Sequence, residues 1–296
     1  MCSSDLYRGA VNALETLVNG VRAPVGPLRS ALTRLAGSLP SLYELLPTYA
    51  CMVAADGTRR PVSEAGVPGL SAAMLRDAAA FHAELDAAAA AAGDPAVEVR
   101  VCPTVGIRQP TATTARWAHG RLIVEATIDG RDDGGDGTVP RLSAQPLALR
   151  GVAAHGIAEQ HGALQANRAV WDQLDQVLTA ATLVWEAAET DPEADLAVQV
   201  DPVWAAGAPL EVWVAGGAGR RVQVVVVDEQ GRETGVAATA RPAEGRGRAV
   251  LEPLAPGGYQ LVVRAVGDPS GFVVPPVTAG VLVWDPGAPV PEGGLR

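Results

Sequence analysis

One change of period constrains this chain more than any other feature. After Asp191 the three-and-four spacing of apolar residues that marks a helix stops, and β-like runs take over. These are Leu196–Val200, Leu210–Val214, Val222–Val227, Gly235–Thr239, Ala249–Leu254, Tyr259–Val266 and Val277–Trp284, separated by Gly, Pro and Asp. A spacing of about 8–15 residues between such runs predicts a small antiparallel sandwich. Thr190-Asp191-Pro192-Glu193 reads as a linker, and the Pro- and Gly-rich stretch after Asp285 reads as a frayed tail.

Before that switch the pattern is mixed. From Tyr7 to about Gly93 it is helical, with Leu14, Leu17 and Val18 on one face and Leu28, Ala31, Leu32 and Leu35 on another. Pro24, Pro27, Pro40 and Pro47 cut this region into short pieces. Its clearest helix starts from an N-cap at Ser71, runs through Met74, Phe81 and Leu85, and stops near Gly93. His82 on that helix reads as a packing histidine. Val97, Val99 and Val101 then make a strand, Trp117 to Ile128 a hairpin turning at His119-Gly120, and short apolar segments follow at Leu147 and Val152. Asn167 to Leu183 is helical again, with Val170, Leu174, Val177 and Leu178 on one face. Strand, loop, strand, loop and helix is the closing rhythm of an α/β domain.

A length of 296 residues is room for two domains, and the period change puts the boundary near residue 190. The two domains expected are residues 1–190 and 191–296. No apolar run reaches the roughly 18 residues that a membrane-spanning helix needs. All 23 basic residues are arginine against 33 acids, a net charge of −10. With no basic surplus in either half, nucleic acid is excluded as an expected partner. Cys2, Cys51 and Cys102 are too few and too scattered to indicate a disulfide framework or a zinc site, so the compartment is left open. No signal peptide opens the text. Met1 to Leu6 reads like translated adapter sequence, and the native start is expected upstream of Tyr7.

Two segments could carry chemistry. In Asp132-Asp133-Gly134-Gly135-Asp136-Gly137-Thr138-Val139-Pro140, glycines flank Asp136 and permit a sharp turn that presents one carboxylate at the end of a strand. A plain solvated turn is the bland alternative. A calcium loop fits poorly, because a loop begun at Asp132 would have Gly134 at its third position and Ser143 at its twelfth. The second segment is His161-Gly162-Ala163-Leu164-Gln165, on the loop that leads into the last helix, where a general base can sit after its acid in chain order. His155 is its rival, and spacing alone favours neither.

Gly135-Asp136-Gly137-Thr138-Val139-Pro140 and His161-Gly162-Ala163-Leu164-Gln165 belong to a longer set of motifs. With Tyr7-Arg8-Gly9-Ala10, Leu39 to Pro47 and Gly106-Ile107-Arg108-Gln109-Pro110-Thr111, they resemble the lecithin:cholesterol acyltransferase-like family in its bacterial branch, over about residues 7–183. The resemblance implies an α/β fold: the C-terminal portion of an α/β-hydrolase with a helical cap. In such proteins a Ser, Asp and His triad transfers or hydrolyses the acyl group of a lipid ester. It places the acid on Asp136 and the histidine on His161, with Leu39 to Pro47 as a lid or acyl-chain surface or simply as core. It implies no cofactor and no metal, and as partner a lipid ester or a lipid surface. Leu254-Ala255-Pro256-Gly257-Gly258-Tyr259 resembles the tyrosine corner of immunoglobulin and fibronectin type III-like domains, in which the hydroxyl ties a strand to the preceding loop.

One departure matters. The nucleophile should sit in a Gly-x-Ser-x-Gly elbow ahead of the acid, and no such motif is present. Gly69-Leu70-Ser71-Ala72-Ala73 comes nearest, but it lacks the second glycine and Ser71 is explained as a helix cap. In the family the elbow precedes the segment matched by Tyr7-Arg8-Gly9-Ala10, so the chain is expected to be an N-terminally truncated fragment, inactive alone. Three readings stand: a lipid acyltransferase or lipase; a triad hydrolase of other specificity, such as a short-chain esterase or peptidase; and a non-catalytic surface or binding protein carried by the sandwich. The sandwich is expected to fold independently and to contribute nothing to the triad.

Overall fold

The computed structural model describes residues 7–21, 26–91, 102–145, 154–179, 195–242, 245–266, 274–285 and 287. The expected Val97–Val101 strand, the segments at Leu147 and Val152, and the linker at Thr190–Glu193 lie outside these residues.

Prolines set the scale of the first helices. α1 (Val11–Asn19) and α2 (Gly26–Ser38) are followed by α3 (Pro40–Glu44), which begins on Pro40, where a missing amide removes no helical hydrogen bond. β1 (Met52–Val53) turns back into β2 (Arg59–Arg60), and α4 (Ala72–Ala91) comes next. Ser71 does cap α4: its Oγ accepts the Met74 N–H at 3.4 Å. β3 (Thr104–Gly106) precedes a hairpin of β4 (Thr114–Ala118) and β5 (Arg121–Glu125). His119 and Gly120 join them with φ of 53° and 74°, two consecutive left-handed residues of the kind a two-residue hairpin turn requires. β6 (His155–Ile157) and α5 (Arg168–Thr179) complete this half. α1, α3, α4 and the four-stranded sheet β2-β1-β4-β5 close on one core, with Val11, Leu14, Tyr43, Met52 and Leu122 nearly or fully buried in it. Among the described residues no helix is long and apolar enough to cross a membrane.

The expected α/β-hydrolase portion with a helical cap is not what these elements build. Among the described residues fourteen strands outnumber five α-helices, and the first half holds no wound parallel sheet. Among the described residues its parallel pairing is limited to β3 with β6, three residues each, a single Met52 to Ala115 register between β1 and β4, and an isolated bridge between Gln109 and Asp136. The closing helix gives the physical reason. A helix that covers a parallel sheet must bury one face, yet α5 has no buried residue and leaves Trp171, Leu174 and Leu178 exposed. Likewise α1, α3 and α4 pack on a mainly antiparallel sheet of their own instead of capping another. The strand–loop–strand–loop–helix rhythm was present, but short strands and an uncovered helix do not add up to that architecture.

The second half is a mainly antiparallel sandwich in which most strands alternate buried and open side chains. Its strands are β7 (Leu196–Gln199), β8 (Val203–Ala205), β9 (Leu210–Gly216), β10 (Arg221–Asp228), β11 (Glu233–Ala240), β12 (Arg246–Leu251), β13 (Gly257–Val266) and β14 (Val277–Trp284). One sheet has the order β11-β10-β13-β14-β8 and the other β12-β9-β7. β8, paired in parallel with β14, is the one strand that the run pattern missed. Val212, Val222, Val224, Val226, Leu261 and Val263 fill the space between the sheets. Each such side chain contributes about 1.5–3 kcal/mol on burial. The Tyr259 hydroxyl donates to the Ala255 carbonyl at 3.0 Å, so the strand is tied to its preceding loop as the Pro-Gly-Gly-Tyr spacing predicts.

Candidate functional site: an aspartate–histidine pair

Asp136 reaches its position through a set of close backbone approaches. β3 ends at Gly106, where a Cβ would lie 2.4 Å from the Asp136 Cβ, so only glycine fits. Beyond it the Gln109 N–H donates to the Gly135 carbonyl at 3.0 Å, and Gln109 bridges to Asp136 in parallel. Gly135 faces the Val139 carbonyl at a distance that likewise excludes a side chain. Thr111 Oγ1 accepts the Gly137 N–H at 2.9 Å, and Asn12 Nδ2 donates to the Gly137 carbonyl from α1.

The carboxylate so placed is 2% exposed. Its Oδ1 accepts the N–H groups of Thr138 at 2.9 Å and Val139 at 2.7 Å. Amides on Oδ1 leave Oδ2 to the histidine: His161 Nδ1 donates to it at 2.9 Å. The His161 backbone is fixed as well, since its N–H donates to the Asp136 carbonyl at 2.8 Å. The hydrogen bond to Asp136 raises the imidazole above its ordinary pKa, and partial burial opposes it. With Nδ1 engaged, Nε2 has no hydrogen-bond partner among the described residues, and the ring is open enough to meet a second group, its side chain being 27% exposed.

The rival histidine lies elsewhere. His155 opens β6, its N–H bonded to the Pro103 carbonyl, and burial alone pushes its imidazole below the ordinary value. His82 is a packing residue: Nε2 meets the Glu44 carbonyl at 2.7 Å and the ring stands edge-on to Phe81. Among the described residues no hydroxyl or thiol is hydrogen-bonded to His161. Ser71 serves as a helix cap, the Ser143 hydroxyl is buried on the Pro140 carbonyl, and burial pushes the Cys51 thiol up to about 12. Asp132 closes a local turn onto the Gly134 N–H, and among the described residues no group of three or more His, Cys, Asp or Glu side chains is placed to hold a metal ion. A cavity of about 270 Å³ between α3 and α4, lined by Tyr43, Leu46, Val62, Leu75 and His82, does not include the pair. Tyr43 and Leu46, from the segment read as lid or core, are buried, whereas Leu39 is exposed.

Sequence reasoning missed one set of residues. Gln109, Glu159 and Gln160 bind the sandwich directly, although Asp136 and His161 themselves both come from the first half. The Gln109 side chain is 1% exposed and pairs like a strand with β7, donating to the Leu196 carbonyl at 3.0 Å and accepting the Val198 N–H at 2.9 Å. Gln160 Nε2 donates to the Val198 carbonyl. Glu159 is buried and accepts the N–H of Thr278 on β14 at 2.7 Å, its own neighbour Gln160 N–H at 2.8 Å, and Asn167 Nδ2 at 3.1 Å. Burial pushes its carboxyl up, against those donors. The signal lay in the sequence as two adjacent long polar residues directly before His161, without any mark of their partner.

No family model matches the chain, and no curated protein matches it. Among solved structures, a CARDB domain of the PF1109 protein from Pyrococcus furiosus, in complex with di-metal ions, is similar at 19% identity and TM-score 0.21, over 30% of this chain and 86% of that one. An ASH/PapD-like domain of human CEP192 is similar at 10% identity and TM-score 0.19, over 36% and 97%.

Proposed function

We propose that Asp136 and His161 are the acid and base of a triad-type centre for ester hydrolysis or acyl transfer, its nucleophile lying outside the described residues. One observation carries this reading. A buried carboxylate uses one oxygen on two backbone amides and the other on imidazole Nδ1, which fixes the tautomer and leaves Nε2 as the base. Such centres are recognised by geometry and not by fold, so the reading does not depend on an α/β-hydrolase core. His161 Nε2 takes the proton of a hydroxyl nucleophile as its oxygen attacks the ester carbonyl. The imidazolium that forms is stabilised by Asp136, and it returns the proton to the departing alcohol. Water or a second alcohol then takes the acyl group by the same steps in reverse. Lipid esters are the substrate class that the motif resemblance implies; short-chain esters and peptides are the competing classes.

A second reading has its own support. The sandwich has a complete core and carries on its open face Trp213, with the Arg246 guanidinium 4.4 Å from the ring centroid, a surface able to serve in binding without catalysis. Labelling of the full-length gene product by a serine-directed phosphonate separates the two. The catalytic reading expects labelling and turnover of phospholipid or short-chain esters, both lost in His161→Ala and largely kept in His155→Ala. Turnover that survives His161→Ala overturns the assignment of His161 as the base, and the absence of both labelling and turnover favours the binding reading.

A further inference from the structure

The sandwich meets the aspartate–histidine pair through side chains that flank both members. Gln109 lies beside Asp136 in the backbone bridge and is sealed onto β7 by two hydrogen bonds. Glu159 and Gln160 immediately precede His161 and are bonded to β14 and β7 respectively. Glu159 is 2% exposed and Gln109 1%, so breaking one of these bonds while the contact stays closed leaves a buried polar group unpaired. Arg108, next to Gln109, adds an ion pair to Asp195 at 3.4 Å, at the start of β7. Between the anchor at Gln160 and the imidazole there is one peptide unit, and its N–H is the one held by the Asp136 carbonyl.

We propose that the sandwich acts as a clamp on the pair, with Gln109, Glu159 and Gln160 as positioning residues that hold His161 against Asp136. The inference deepens the acid–base reading and rests on the same geometry, but its readout needs no turnover. A loop held only by its own hydrogen bonds opens locally at small cost, whereas buried bonds to a second, fully packed body force it to open with that body. The segment from Glu159 to His161 is of the second kind. Whatever shifts β7 or β14 therefore shifts the imidazole. The ties approach the pair from two sides: Gln109 from the bridge beside the acid, Glu159 and Gln160 from the base.

Nuclear magnetic resonance titration of the His161 ring in the 296-residue chain tests the clamp. In Gln160→Ala and Glu159→Ala the His161 midpoint should fall toward the ordinary imidazole value of 6.5, and the Nδ1 proton signal should broaden. Glu159→Gln, which keeps an acceptor for the Thr278 amide, should retain the wild-type midpoint. Arg248→Ala, on the outer face of the sandwich, is the control and should change neither. Unchanged midpoints in both folded alanine variants overturn the clamp. Hydrogen exchange on the unmodified chain decides it if a variant fails to fold. The His161 amide should exchange by the same opening as the Val198 and Thr278 amides, and its exchange while those two stay protected overturns the proposal. Either negative result leaves the acid–base reading standing, since that reading falls only with loss of the Asp136 to His161 hydrogen bond or of its dependent turnover.

Discussion

At the scale of single residues, the site depends on what Asp136 and its glycines can do. Because the hydrogen bond to Asp136 raises the His161 pKa, the charged pair stabilises the fold fully below the ordinary imidazole value, and this contribution is lost as pH rises through the raised folded value. Asp136→Asn should therefore cost most stability on the acid side, with the difference from wild type shrinking as pH rises; denaturant titrations across that range check it. Gly106→Ala should cost about 1–3 kcal/mol, because its Cβ has no space beside the Asp136 Cβ, and should disturb the His161 resonances as well. The choice of Asp136 and His161 was legible as motif and order along the chain. The rival His155 could be weighed only in three dimensions, because nothing in the spacing says which histidine is hydrogen-bonded to the acid.

At the scale of elements, alternation proved the more dependable sign. In the sandwich, Val277 to Trp284 reads buried and open by turns and forms one strand over those same residues. Leu261→Ala, at a fully buried position, should lower stability by about 2–5 kcal/mol, whereas Tyr259→Phe should cost only about 0.5–1.5, the worth of one hydroxyl bond on an exposed corner. Thermal or denaturant unfolding followed by far-ultraviolet circular dichroism gives both values. Helical periodicity was read correctly in α4, whose start at Ala72 follows the Ser71 cap, and it also marked α5. It could not say what α5 covers. An amphipathic helix records that an apolar face exists, and the partner of that face is a tertiary fact. The rhythm of strands, loops and helix and the family resemblance together supplied the α/β-hydrolase expectation, which β3 and β6 are too short to support. β8 escaped notice because three half-buried residues carry too little alternation to register.

At the scale of the whole molecule, the chain joins a helical and mixed-sheet half to a sandwich across polar ties that also flank the acid and the base. Long polar side chains at Gln109, Glu159 and Gln160 gave no warning of this, because a buried glutamine looks in sequence like a surface one until its partner strand is known. The account stands on a single arrangement: Asp136 holds the neutral His161 ring with Nδ1 protonated and Nε2 bare. Long-range proton–nitrogen correlation spectra of the histidine side chains measure that directly. Above the His161 midpoint, the account predicts a ring with the proton on Nδ1 and an unprotonated Nε2, a pattern that Asp136→Asn alters. A ring carrying its proton on Nε2, or one indifferent to Asp136→Asn, would contradict it.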